Sequence, residues 1–275
     1  LRMDEIYNLY HSPIEFVISK LKANRLKRDH QSTILDISYN RIDDDGITTI
    51  LNYLKHDNVI RGIYVHSNNM TQKGFKSLVS HIELSLLNSI DLTASYCIDI
   101  DCLTMLSESL KNNNMLSELV LEQCKIGDKG AEILALGLEH NRNLRILRLN
   151  SNDIEDNGSI FLAKSLEINN TLRELNISEN PIGSWGAIAF SESLKCNNTL
   201  QILKMTDVRV EDKGIKAIFE SLKFNETLLT LDISTNSECS DDIYISISSS
   251  LIVNKTLRNL TIPDFIKGSE GSIAI

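Results

Sequence analysis

No run of about 18 apolar residues, the length a membrane-crossing helix requires, occurs anywhere in the 275-residue sequence. The opening LRMDEIYNLYHS carries charges and no apolar h-region, so no signal peptide is expected. The five cysteines (Cys97, Cys102, Cys124, Cys196, Cys239) are odd in number and lack CxxC spacing. That argues against a disulfide framework or zinc site and suits reduced thiols in a cytosol. The six histidines are scattered, with no pair at metal spacing. P-loop, GxSxG, HExxH and glycine-rich phosphate cradles are all missing, so neither an enzyme nor a cofactor is expected. Basic charge is scarce as well: 28 Lys and Arg stand against 37 Asp and Glu, a net charge of −9. Nucleic acid, which needs clustered cations, is therefore disfavoured as a partner.

What the sequence has in abundance is a repeat. The pattern L-x-x-L-x-L-x-x-N/C-x-I recurs as LSELVLEQCKI (116–126), LRILRLNSNDI (144–154) and LRELNISENPI (172–182). IRGIYVHSNNM (60–70) matches with conservative swaps, and LQILKMTDVRV (200–210) places Val208 where Asn belongs. First positions fall at 60, 87, 116, 144, 172, 200, 228 and 257, and a partial copy, ILDISYNRI, spans 34–42. The L-x-L core alternates with the period of a strand, so Leu119 and Leu121 point inward and Val120 outward. The Asn or Cys that follows, such as Cys124, Asn152 or Asn180, is suited to bond backbone groups that water cannot reach.

A helix follows each strand. Asp128/Gly130, Asp156/Gly158 and Asp212/Gly214, with Ser184/Gly186 as a variant, are suited to capping its start. Ala131, Leu134, Ala135 and Leu138 fall on one helical face. An L-x-x-N-x-x-L closes each unit (Leu166-Asn169-Leu172, Leu194-Asn197-Leu200, Leu222-Asn225-Leu228), where Asn tolerates the left-handed conformation of a helix end. Four of the seven N-x-S/T sequons (Asn169, Asn197, Asn225, Asn254) share this place. All seven, Asn69, Asn157 and Asn176 included, read as by-products of repeat chemistry. A single unit cannot bury its apolar face, so units must stack. Wide helices outside and narrow strands inside force curvature. The expected fold is an α/β solenoid, a right-handed β-α horseshoe with a concave parallel β-sheet and convex helices. Residues 1–31 are assigned to a helical N-terminal cap with its helix near 13–27, 32–262 to about eight or nine repeats, and 263–275 to a C-terminal cap or tail.

The 28-residue unit with a full helix resembles the ribonuclease-inhibitor-like class of leucine-rich repeat proteins over about 32–262. That class includes ribonuclease inhibitor, the sensor regions of NOD-like receptors, a Ran GTPase activator and tropomodulin-like actin binders. Repeats three and eight depart from it by one extra residue each, around Tyr96 and around 236–242. GAEILALGL (130–138) and GSIFLAKSL (158–166) also look like the GALA-type repeats of bacterial effectors, which act in a host cytoplasm. The shared activity implied by the resemblance is protein binding on the concave face. The expected partner is thus another protein rather than nucleic acid, membrane or a small-molecule substrate, and the chain is expected to be a cytoplasmic monomer.

The register exposes Tyr64 and His66, Asp91 and Thr93, Glu118 and Glu122, Arg148 and Asn150, Glu174 and Asn176, Lys204 and Thr206, and Asp232 and Ser234. Aromatic residues and Arg dominate binding hot spots, so the candidate contacts are Tyr39, Tyr64, His66, Glu118, Glu122, Arg148 and Lys204. Trp185, the single tryptophan, falls at a helix start on the rim and is expected to cover the cap. Two other functions follow from resemblance alone. A ubiquitin-ligase adaptor would need an F-box bundle, for which SPIEFVISKLKANRL offers one helix. A Ran-type activator would present an N-terminal Arg, for which Arg41 is the candidate, but lacks its acidic tail here.

Overall fold

A computed structural model describes residues 6–8, 17, 19, 34–57, 59–82, 86–236, 240 and 242–262. Three-residue strands recur once per unit: β1 (Ile6–Asn8), β2 (Ile34–Asp36), β3 (Gly62–Tyr64), β4 (Ser89–Asp91), β5 (Glu118–Val120), β6 (Ile146–Arg148), β7 (Glu174–Asn176), β8 (Ile202–Lys204), β9 (Thr230–Asp232) and β10 (Asn259–Thr261). They form one parallel sheet in sequence order. Helices α1 (Asp44–Leu54), α2 (Gln72–Ile82), α3 (Ile100–Asn112), α4 (Gly127–His140), α5 (Asp156–Ile168), α6 (Gly183–Cys196), α7 (Asp212–Leu222) and α8 (Asp242–Val253) alternate with β2 to β10. This is the α/β horseshoe that the repeat demands.

One core runs its length. Leu119, Leu121, Leu147, Leu149, Leu175 and Leu203 are at most 1% exposed, and so are Ala131, Leu134 and Ala163 from the helices facing them. Full burial of each leucine contributes about 1.5–3 kcal/mol, a gain no isolated unit could collect. Gly158 shows how tightly units approach: a Cβ there would stand 2.7 Å from the Asp128 Cα, so the position takes no side chain.

Two asparagine ladders hold successive turns together. On the strand side, Asn152 Nδ2 donates to Leu121 O at 2.6 Å, and its Oδ1 accepts from Cys124 N at 2.8 Å. Asn180, Asn68 and Asn236 repeat this pattern. Cys124 substitutes with its thiol, which donates to Leu92 O at 3.3 Å. Val208 interrupts the ladder. With no side-chain acceptor from the next repeat, Ile182 N turns to Asn180 O at 2.7 Å instead.

The second ladder corrects an expectation. Asn113, Asn141, Asn169 and Asn197 close their helices in extended backbone, with φ between −66 and −74, and not in the left-handed region. Asparagine is required there for its amide: Asn169 Nδ2 donates to Leu138 O and Asn141 O, while its Oδ1 accepts from Thr171 N and Leu172 N. The same bonds recur at Asn141, Asn197, Asn225 and Asn254. Left-handed residues occur instead in the turns after β2 to β9, as at Gln123, Lys125, Ser151 and Asp153.

The Asp-x-Gly acids also act differently than expected. They lie inside the first turn of their own helices and cap the next one. Asp128 Oδ1 accepts from Glu155 N and Gly158 N at 2.7 and 2.9 Å. Asp44 serves Thr71 and Gly74, Asp156 serves Gly186, Ser184 serves Glu211, and Asp212 serves Ser240. The Thr71 hydroxyl, followed by the two amides, holds the Asp44 carboxyl below the usual carboxylate range. Caps to the helix's own start occur at Asp43 and Asp99.

The sheet begins before the first readable repeat, because β1 lies within the segment assigned to the N-terminal cap and pairs with β2. Of the capping helix expected near 13–27, only Val17 and Ser19 are described. Both are helical and Val17 is fully buried. The tail, 263–275, and most of the insertion in repeat eight lie outside the described residues.

Candidate partner-binding surface

Strand register arranges the concave face in rows. One row reads Asp36, Tyr64, Asp91, Val120, Arg148, Asn176, Lys204, Asp232. The row two residues earlier reads Ile34, Gly62, Ser89, Glu118, Ile146, Glu174, Ile202, Thr230. Neighbours within a row sit about 4.8 Å apart, close enough for long side chains to meet across strands.

Arg148 meets two of them. Its Nη1 pairs with Glu118 Oε1 at 2.5 Å and its Nη2 with Glu174 Oε1 at 3.3 Å, all three side chains being under a third exposed. Burial opposes the arginine's charge. The hydrogen bond to Glu118 and the charges of Glu174, Glu118 and Glu122 outweigh it, holding the guanidinium above its ordinary value. The remaining Glu118 oxygen accepts from Ser89 Oγ at 3.0 Å. Ser89 in turn contacts the Tyr64 hydroxyl, whose pKa is raised by burial and then by the charges of Glu118 and Asp91. Tyr64, Ser89, Glu118, Arg148 and Glu174 therefore form one chain across five strands. Val120, in the middle of this face, is only 6% exposed, so neighbouring side chains close over it.

The other candidates gather elsewhere. Tyr39, half-exposed with φ +59, sets its ring edge-on against His66 at 4.9 Å, just beyond β2 and β3. Glu122 sits in the turn after β5, where it is felt by Arg148 only through its charge. Lys204 lies two strands past Arg148, between Asn176 and Asp232, and makes no ion pair among the described residues. Ser89 and Glu174 are members of the network absent from the sequence-derived contact set. Glu174 occupies the same repeat position as Glu118 and lies on the diagonal from Arg148 in the next strand, which is the signal that would have found it.

Trp185, expected to cover the cap, is instead 65% exposed, with Lys213 Nζ 5.9 Å from its ring centre. Arg41 is exposed on a turn with φ +54. Burial pushes the thiols of Cys102 and Cys124 up to about 11 and about 12, far from nucleophilic character. Among the described residues no group of three or more His, Cys, Asp or Glu could hold a metal. No described helix is long and apolar enough to cross a membrane.

Residues 33–51, 112–135, 140–163, 169–191 and 196–219 match the family model described as Leucine Rich repeat. No curated protein gives a significant sequence match. Among solved structures, actin-binding site 2 of leiomodin-1 is 21% identical with a TM-score of 0.44, over 66% of this chain and 88% of that one. The Caenorhabditis elegans tropomodulin C-terminal domain is 17% identical with a TM-score of 0.48, over 57% and 93%. TLR13, solved in complex with ssRNA13, is 15% identical with a TM-score of 0.47, over 85% and 37%. With five segments matched by that model and one strand-turn-helix unit stacked from β2 to β10, the chain folds as a solenoid of leucine-rich repeats.

Proposed function

We propose that this chain is a protein-interaction module whose partner docks on the concave sheet between β3 and β8. Tyr64 and Arg148 act as anchors, with Tyr39, His66, Glu118, Glu122 and Lys204 around them. The observation that carries this reading is the Tyr64–Ser89–Glu118–Arg148–Glu174 chain, fixed in place on an open face. Side chains already held by neighbours lose little freedom on binding, and Tyr and Arg are the residues that most often dominate interfaces. Arg148 is neutralised by its two glutamates, so Asp91, Glu122 and Asp232 outweigh Lys204 and leave the face acidic. It therefore favours a partner that presents basic side chains.

The test is affinity capture from a eukaryotic lysate with the parent chain and a Tyr64→Ala/Lys204→Glu variant, read by mass spectrometry. Lys204 is preferred to Arg148 because Arg148→Glu would crowd three carboxylates together. A partner held by the parent and lost by the variant is the expected result. Equal capture by both proteins would remove the concave face from consideration. A ubiquitin-ligase adaptor role would use this same face, and recovery of a Skp-type adaptor protein would select it. An effector role in a host cytoplasm would be selected by a host protein bound specifically at Tyr64.

A further inference from the structure

Away from the concave sheet, the helix-to-strand turns of four successive repeats enclose an open groove of about 400 Å³. Its charges are unevenly placed. Arg142, Arg145 and Arg173 stand at one end and Glu226 at the other, with Asn170 and Asn198 between. In a chain of net charge −9 this is a concentration against the average.

Arg145 and Arg173 occupy the same position of adjacent repeats, both exposed, about 4.8 Å apart at the backbone. Like charges directly opposite each other destabilise a sheet edge. Arg148, three residues from Arg145, is clasped by two glutamates. No described carboxylate pairs with either Arg145 or Arg173. Arg142 is fixed, its Nη1 donating to Glu139 O and Asn141 O. The amides of Asn170 and Asn198 are exposed and make no bond to any described residue.

We infer that this groove docks an extended acidic segment of a partner protein, at a site separate from the concave face. Three inter-repeat steps of about 4.8 Å span about 14 Å, the length of four residues in extended conformation. Carboxylates of the segment lie over Arg145 and Arg173, which present the forked donors suited to them. Asn170 and Asn198 meet its backbone, since each amide both donates and accepts. Glu226 sets direction by repelling an acidic residue at the far end.

A fluorescein-labelled octaglutamate peptide, titrated with the full chain at low salt and followed by anisotropy, tests this. The variant is Arg145→Ser/Arg173→Gln, because Ser117 and Gln201 already fill that position in neighbouring repeats and the fold accepts them. Circular dichroism checks that it does. The parent is expected to bind and the variant to bind at least about tenfold more weakly. Arg145→Lys/Arg173→Lys should retain most of the affinity, and Tyr64→Ala/Lys204→Glu should retain all of it. No binding by the parent, equal binding by the Ser/Gln variant, or loss in the concave-face variant overturns the proposal. Displacement of the peptide by equimolar inorganic phosphate at fixed ionic strength overturns it too, by assigning the arginines to a free anion.

Discussion

Replacing Asn169 with Ala tests the claim that the helix-to-strand asparagines hold the solenoid together through their amides. Asn169 is 2% exposed and makes four bonds to backbone, to Leu138 O, Asn141 O, Thr171 N and Leu172 N, at 2.7 to 3.3 Å. Alanine removes all four. Leu138 O and Leu172 N lie where water does not reach, and each buried group left unpaired costs about 1–3 kcal/mol. The other two bonds are longer or partly wet and add less, so the expected loss is about 3–5 kcal/mol. For a chain of this size that corresponds to roughly a 10 °C fall in Tm. Urea and thermal melts followed by circular dichroism measure it, with Asn170→Ala as the control. Asn170 is exposed and its side chain bonds no described residue, so its replacement should stay within about 0.5 kcal/mol of the parent. If Asn169→Ala matched that control, the ladder would be ornamental and burial of leucine alone would hold the repeats.

Asp128→Ala should cost about 1–2 kcal/mol, and hydrogen exchange should speed up at Glu155 and Gly158 in the following repeat, not at the start of Asp128's own helix. His81 is 3% exposed with both ring nitrogens unpartnered among the described residues, and burial, then the Lys55 charge, lowers its pKa to about 4. The unfolded chain takes up this proton below pH 6.5 while the folded one does not. Stability should therefore fall as pH drops from 6.5 to 4, by up to about 3 kcal/mol, and melts of His81→Leu should lack that component. Arg148→Ala strands Glu118 and Glu174 beside each other, and should cost about 1–3 kcal/mol at pH 7. Urea melts measure it, and the deficit should shrink when Glu118→Gln and Glu174→Gln are added, because no like charges are then left facing each other.

Much of this molecule is legible along the chain. The leucine spacing alone yields strand, helix and burial, because both periodicities are local and the same residues satisfy them in each unit. What escaped is whatever operates across repeats. Asp128 looks like a cap for its own helix, because the helix start nearest in sequence is its own. Its bonds to Glu155 and Gly158 appear only once an offset of 27–30 residues becomes contact. Asn169 suggests a left-handed helix end when read locally, and an amide bridge when read against Leu138. The grip of Glu118 and Glu174 on Arg148 is likewise a matter of offsets 30 and 26, the diagonals of a parallel sheet with a 28-residue repeat. β1 carried no repeat signature to read at all.

The caps that reach from one repeat to the next give the solenoid a direction. The starts of α2, α5, α6, α7 and α8 are completed by an acid or hydroxyl that precedes them by about one unit, at Asp44, Asp128, Asp156, Ser184 and Asp212. Each new asparagine in turn closes carbonyls of the repeat before it. On the ribosome, a repeat leaving the exit tunnel meets a finished template with its cap waiting, and completes that template as it docks. Growth from the N-terminus gives these helix starts an acceptor already in place, whereas growth from the C-terminus would leave their N–H groups waiting for one. The fold is thus matched to the order in which its own chain is synthesised.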